Sequence, residues 1–289
     1  MTFQASHRRI SAAYHRAKHL SIDNRSKLVL MSDIHRGCGT GADAFAKNQT
    51  LYYTALRHYD REGYTYLELG DGDDLWQERR MGEIKAEYEH VFSLLAKLYQ
   101  EGRFHMIYGN HDRVKRSAGW VRANLYSYIL RADGVPQPLF PGIVVAEAVL
   151  LKHQQAGLVF LLLHGHQADF FNDRLWWLAR FLVRYLWKPL ELVGFRNPFD
   201  AGKNPRRRTK VEQTLAGWAE KEGITLIAGH THRPTLPKRA EGRYINTGSA
   251  VHSRYITALE IENGALRLVK WEMAAEENGM LYITKAPQF

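Results

Sequence analysis

Five short apolar runs along the chain each end in a polar cluster. LVLMS (28–32) leads into Asp33-Ile34-His35, and YTYLEL (64–69) into Gly70-Asp71. HMIY (105–108) leads into Gly109-Asn110-His111-Asp112, LVFLLL (158–163) into His164-Gly165-His166, and ITLIA (224–228) into Gly229-His230-Thr231-His232. Runs of this length, rich in β-branched and aromatic residues, predict buried strands. Between the early runs the period becomes helical. Tyr52, Ala55, Leu56 and Tyr59 share one face, and Ile84, Tyr88, Val91, Leu95 and Leu98 share another. Strand alternating with helix predicts an α/β sheet with crossover helices. In such sheets, sites form beyond the carboxyl ends of the strands, and all five clusters stand at that end.

Beyond Thr235 the texture changes. YINTGSA, YITALEI, ALRLVKWEM and LYITK read as short strands parted by turn signals, with Glu262-Asn263-Gly264-Ala265 as a hairpin turn. This predicts a second, antiparallel sheet. We read residues 1–289 as a single domain, with 168–222 as a helical, basic and aromatic insertion.

The clusters bring together Asp33, His35, Asp71, Asp74, Asn110, His111, Asp112, His164, His166, His230 and His232. Imidazole, carboxylate and amide oxygen are ligands suited to Mn, Fe or Zn. Asp33 and His35, two residues apart at a strand end, point to one side, and His230 and His232 repeat the spacing. Two cations about 4 Å apart need a bridging carboxylate and several further ligands each, and this set supplies enough. A lone histidine beside a strand is usually packed or solvated. Six of the 14 histidines within these clusters is a different matter. Asp74 has a plainer alternative as a helix N-cap. Asp73 and Cys38 read as bystanders, Cys38 because no base is paired to it.

Asp-x-His, Gly-Asp-x-x-Asp, Gly-Asn-His-Asp, a strand-end His and Gly-His-x-His, in that order from Asp33 to Arg254, resemble the calcineurin-like metallophosphoesterases. The resemblance implies two packed mixed β-sheets flanked by helices in four layers, α-β-β-α. It implies one metal held by Asp33, His35, Asp71 and His232, and another by Asp71, Asn110, His164 and His230, with Asp71 as the bridge. The expected cofactor is a pair of divalent ions, Mn first, with Fe or Zn as alternatives. Two cations acidify a shared water, whose hydroxide attacks phosphorus in line with the leaving group. His111 is the candidate to protonate the leaving oxygen. Asp112 and Asp74 are candidates to orient neighbouring histidines. Arg36, Arg113 and Arg233 each follow directly on a motif, and the arginine fork suits phosphate. His166 is a further candidate contact to substrate. Asn246-Thr247-Gly248-Ser249 resembles the family's closing loop near the site.

The formal charge is +10, and between Phe170 and Lys210 ten Lys/Arg against three Asp/Glu concentrate the excess. Such a segment points to an anionic partner. NDRLWWLARFLVRYLWKPLELVGF (172–195) carries Trp176, Trp177 and Trp187, with Arg180, Arg184 and Lys188 on one helical stripe. It is read as a helix packed on the core, as a lid over an amphiphilic phosphate-bearing substrate, or as an interfacial helix making peripheral membrane contact. Val211, Leu215 and Trp218 then mark a further helix that stops at Gly223. The placement of the insertion, with Gly-His-Thr-His-Arg-Pro (229–234), resembles the family branch that cleaves UDP-diacylglucosamine. His111 and His166 depart from that branch, which has Arg and Asp there.

A nuclease of the same fold ranks lower, although Lys203, Arg206, Arg207, Arg208 and Lys210 offer a basic tract, because the aromatics cluster with aliphatics. A protein phosphatase is a further alternative. A non-catalytic scaffold would have lost the bridging Asp or a ligand His, and neither is missing. One cysteine allows no internal disulfide, and the N-terminal stretch has no apolar core of a secretory signal. The expected location is the cytoplasm, with contact at the inner face of the membrane.

Overall fold

The structure is a computed structural model that describes residues 3–169, 181–183, 185, 204–237 and 242–288. Two mixed sheets pack face to face. The first runs β13-β12-β11-β2-β3-β4, formed by Leu281–Pro287, Ala265–Ala275, Tyr255–Glu262, Lys27–Met31, Thr65–Leu69 and Phe104–Ile107. The second runs β1-β7-β8-β9-β10, formed by Lys18–Ile22, Ala148–His153, Val159–Leu163, Thr225–Ala228 and Tyr244–Asn246. A small hairpin, β5 (Ser127–Ile129) with β6 (Pro136–Pro138), lies apart.

The strand sequences explain the layering. Side chains alternate across a strand. Leu28 and Leu30 of β2 enter the core between the sheets with Phe160 and Leu162 of β8. Val29 and Met31 turn outward against α2 (Gln49–Arg61) and α4 (Glu89–Gln100). Leu161 and Leu163 turn outward against α1 (Phe3–His15) and α6 (Pro205–Glu222). Strands buried on both faces read as unbroken apolar runs. The result is the four-layer α-β-β-α arrangement.

The crossover α2 buries Leu51, Tyr52, Ala55, Leu56 and Tyr59, as its periodicity predicts. The second predicted helix is two: α3 (Met81–Glu87) and α4 meet at Tyr88, whose φ of −108° and ψ of 37° leave the helical region. Both pieces keep the shared apolar face, so the side-chain period survives the break. Helix α6 is capped at both ends. The Asn204 side chain accepts from Arg207 N, Pro205 opens the first turn, and Gly223 closes the last at φ 67°.

One sequence expectation is corrected. The C-terminal strands do not form a separate sheet: β11 pairs antiparallel with β2, so β11–β13 extend the first sheet, and β10 joins the second, parallel to β9. Their partners lie far off in sequence, which strand patterns cannot reveal. The hairpin turn stands, with Asn263 and Gly264 both at positive φ. Within 168–222 the described helix α6 stands between β8 and β9 in the chain, with Val211, Leu215 and Trp218 in the core as their shared face predicts.

Among the described residues no helix is long and apolar enough to cross a membrane. Trp176, Trp177, Arg180 and Arg184 lie outside the described residues, and so does most of 172–195. Within it, Val183 is buried, Phe181 and Tyr185 are exposed, and Arg79 Nη2 donates to the Tyr185 hydroxyl at 2.8 Å.

Candidate metal centre

The loops that follow β2, β3, β4, β8 and β9 meet at one end of the two sheets. Their backbones are laced together. Asp33 N donates to Gly70 O, and His35 N to Asp71 O at 2.9 Å. His111 N donates to Asp71 Oδ1 at 2.8 Å, and His230 N to Asp33 Oδ2 at 2.8 Å. The fit is too close for side chains at two motif glycines. A Cβ on Gly109 would collide with the Asp71 carboxylate, and one on Gly229 with Ser32 and Asp33. The Asn246–Ser249 stretch closes the same end. Asn246 Nδ2 donates to Gly229 O at 2.7 Å, and Ser249 Oγ to Asp33 O at 3.2 Å.

Five residues hold left-handed backbone: Asp33 at φ 53°, His35 at 52°, Asp71 at 51°, His230 at 68° and His232 at 56°. Outside glycine this conformation is uncommon, and such strain clusters where a site demands it. Apart from Asn263 in the hairpin turn, these are the non-glycine residues with positive φ among those described.

The side chains converge. Asp33 Oδ1 lies 3.1 Å from His232 Nε2, 3.8 Å from His35 Nε2 and 3.9 Å from His164 Nε2. Asp71 Oδ2 lies 3.1 Å from His164 Nε2 and 3.9 Å from His35 Nε2. The candidate ligand atoms fall into three overlapping groups: Asp33, His35 and His232; His35, Asp71 and His111; and Asp71, His164 and His230. Within each group they lie within 4.8 Å of one another. Asp71, shared by two groups, is central.

These residues fit a pair of divalent cations. Asp33 Oδ1, Asn110 Oδ1 and His164 Nε2 are buried ligand atoms with no hydrogen-bond partner of acceptable geometry. Buried polar atoms are rarely left so. The His164 ring is set by its other nitrogen, which donates to Leu69 O at 2.9 Å, so Nε2 faces Asp71 and Asp33 and is the nitrogen that would give up its proton to a cation. Burial disfavours charge on His164, yet Asp71 and Asp33 raise its pKa to about 9. Burial likewise opposes the Asp33 carboxylate, and His232 and His164 nevertheless hold it well below the usual range. Negative charge therefore gathers where a cation would stand.

His111 sits at the rim. Its Nδ1 is 2.9 Å from Asp74 Oδ1, and its ring stacks on Trp76 with centroids 4.2 Å apart and planes at 19°. Asp74 Oδ1 also accepts from Gln77 N at 3.2 Å, within the loop and ahead of α3, so it is not that helix's N-cap.

Other candidates are placed differently. Arg36 is wholly buried and cannot reach a substrate. Its guanidinium grips Glu68 through both Nη atoms, at 2.8 and 2.9 Å, and Asp73 through Nε at 2.8 Å. Asp73 is no bystander. It also binds Lys115 Nζ at 2.6 Å, and Lys115 reaches Asp112 at 2.7 Å. Asp112 orients backbone rather than a histidine: it accepts from the N–H groups of Gly109, Asp71 and Gly72. These five charges form a buried layer beneath the ligand loops. His166 is buried beside His164, with ring centroids 5.6 Å apart, rather than open to a substrate. Burial, then the charges of His164 and Arg113, hold its pKa well below the ordinary value. Arg113 is half-buried. Arg233 is exposed at the rim and pairs with Glu212 at 2.7 Å.

Sequence reasoning missed Asp169, Lys115, Glu68 and Trp76. Asp169 follows β8 within the same polar cluster as His164, and Lys115 stands three residues after Asp112, a helical-pair spacing. Those were the available signals. The basic tract of α6 is partly committed, because Arg207 pairs with Asp169 at 2.7 Å.

A fold of two mixed sheets flanked by helices, with candidate Asp, His and Asn ligands on five loops, points to a metal-dependent phosphoesterase class. The chain belongs to the calcineurin-like phosphoesterase family, whose model matches residues 26–234. No match to a curated protein sequence was found. Among solved structures the chain is similar to Vps29 of Chaetomium thermophilum, at 12% identity and TM-score 0.43, over 91% of this chain and 95% of that one. Vps29 of Cryptosporidium parvum matches at 12% identity and TM-score 0.40, over 91% and 97%. A cold-active protein tyrosine phosphatase matches at 15% identity and TM-score 0.40, over 92% and 83%. These likenesses are too distant to bear on activity.

Proposed function

We propose that the protein hydrolyses a phosphate ester or phosphoanhydride with two divalent cations. The observation that carries this reading is that candidate ligand atoms of Asp33, His35 and His232, and of Asp71, His164 and His230, lie within 4.8 Å of one another, while Asp33 Oδ1, Asn110 Oδ1 and His164 Nε2 are buried with no hydrogen-bond partner. Asp33, His35, Asp71 and His232 hold one ion; Asp71, Asn110, His164 and His230 hold the other. Two bound cations supply acidification of water and neutralisation of phosphate charge.

The chain's own groups do the rest. Asp74 at Nδ1 assigns the transferable proton of His111 to Nε2, and the Trp76 face fixes the ring plane. His111 is thereby posed to give that proton to a leaving oxygen. Arg233 stands at the rim as the candidate guide for anionic substrate, and Glu212 anchors its reach. Mn is the proposed metal, because the mixed imidazole, carboxylate and amide set suits it. A phosphate-bearing, amphiphilic substrate remains our reading of the basic aromatic stretch 172–195.

The test is hydrolysis with added Mn²⁺ of an aryl phosphomonoester, an aryl phosphodiester and a UDP-linked diacyl sugar, each with a chelator control. Chelator-sensitive turnover of any of the three supports the enzyme class. Preference for the third favours the UDP-diacylglucosamine branch, despite His111 and His166. Metal bound with no turnover on any of the three would count against the hydrolase reading.

A further inference from the structure

One carboxylate beside the centre stands outside the three groups of candidate ligands. Asp169 closes the turn after β8, its N–H donating to His166 O at 2.9 Å, and its side chain is buried. Its oxygens are gripped by the fork of Arg207, with Nε donating to Oδ2 at 2.8 Å and Nη2 to Oδ1 at 2.7 Å. Paired N–H bonds of this kind fix direction as well as distance. The same Oδ2 lies 3.3 Å from Nε2 of His230. Arg207 itself is set by the start of α6, where its N–H donates to the Asn204 cap.

The chemistry of this chain of contacts is specific. A carboxylate at Nε2 keeps the imidazole proton there, so Nδ1 keeps the lone pair that a cation needs. The His230 backbone is tied separately, through its N–H to Asp33 Oδ2. Backbone and ring are therefore fixed by different partners, and removing Asp169 frees the ring alone. The loop that carries His232 meets α6 elsewhere, through Glu212, which accepts from Thr231 Oγ1 at 3.0 Å and pairs with Arg233 at 2.7 Å, and not through the helix's first turn.

We propose that Asp169, held by Arg207, is a positioning residue that orients His230 and fixes its tautomer, so that the first turn of α6 sets the affinity of one metal position and not of the other. This rests on the two-metal reading above. Losing the outer partner of a ligand histidine typically costs about 10- to 100-fold in metal affinity. Asp169→Asn should weaken one of two Mn²⁺ ions by that factor and leave the other within about twofold. Arg207→Gln, at a partly exposed side chain, should weaken the same ion by a smaller factor. Arg206→Gln, on the exposed neighbour, should change neither.

Mn²⁺ alone is the probe, titrated into metal-free protein and followed by calorimetry and electron paramagnetic resonance. Wild type at two equivalents should give an exchange-coupled spectrum, and Asp169→Asn at the same loading the six-line spectrum of an isolated ion. His232→Ala serves as reference for loss of the other position, and its combination with Asp169→Asn should hold neither ion tightly. Folding is checked by circular dichroism, and Arg207→Gln decides if Asp169→Asn fails to fold. Wild-type affinity for both ions in a folded variant would overturn the proposal, as would equal weakening of both. Wild type that takes up no Mn²⁺ would instead contradict the two-metal reading itself.

Discussion

Replacing Lys115 by Met removes one charge from the buried layer beneath the site while keeping much of the side-chain volume. The layer holds two cations, Arg36 and Lys115, against three carboxylates, Glu68, Asp73 and Asp112, and Lys115, Asp73 and Asp112 have no exposed side-chain surface. Lys115 is bound at 2.6 Å to Asp73 and 2.7 Å to Asp112. Without it, Asp73 keeps Arg36, but Asp112 keeps only neutral backbone donors. Removing one partner of a buried ion pair costs about 3–5 kcal/mol, because the other charge stays buried and uncompensated. Folding stabilities are ordinarily about 5–15 kcal/mol, so the loss is large and readable. The variant can relieve it by taking up a proton on a carboxyl. Each unit by which pH falls makes that uptake easier by about 1.4 kcal/mol. The deficit relative to wild type should therefore shrink as pH is lowered from 7 to 5. Urea unfolding at both pH values measures it. A loss under about 1 kcal/mol at pH 7, or a deficit that grows on acidification, would show that Lys115 does not compensate the buried Asp112 charge.

Gly109→Ala should abolish tight Mn²⁺ binding, because the new Cβ would collide with both the carboxylate and the backbone nitrogen of Asp71; calorimetric titration of the folded variant checks this, and wild-type affinity would contradict it. His105 on β4 has its pKa lowered to about 4, by burial first and then by Lys18. The unfolded chain takes up a proton near pH 6.5 while the folded one does not, so stability is lost as pH falls from there towards 4. His105→Gln should flatten its share of that acid limb, and unfolding midpoints of the two proteins that fall in parallel would exclude the effect.

The candidate ligand residues were legible because they lie where strand ends place them. Asp33, Asp71, Asn110, His164 and His230 each follow an apolar run within a few residues, and the structure brings their loops together. Sheet membership was not legible, since Tyr255–Glu262 shows its strand character locally but finds β2 across more than two hundred residues of chain. Arg36 and Asp73 misled for a related reason. A charge beside a motif is assumed exposed, and only the packing of Glu68 and Lys115 against them shows otherwise. Tyr88 kept the helical side-chain period across a backbone break that the period does not sense. Asp169 escaped notice because its partner Arg207 stands 38 residues on, in a stretch that reads as an uncommitted basic tract.

Two cations are proposed to share Asp71. Crystals soaked in Mn²⁺ and measured at the manganese absorption edge test it directly. Two anomalous peaks per chain should appear about 4 Å apart, flanking the Asp71 carboxylate, one beside Asp33, His35 and His232 and the other beside Asn110, His164 and His230. A single peak, or peaks that leave Asp71 unligated, would contradict it.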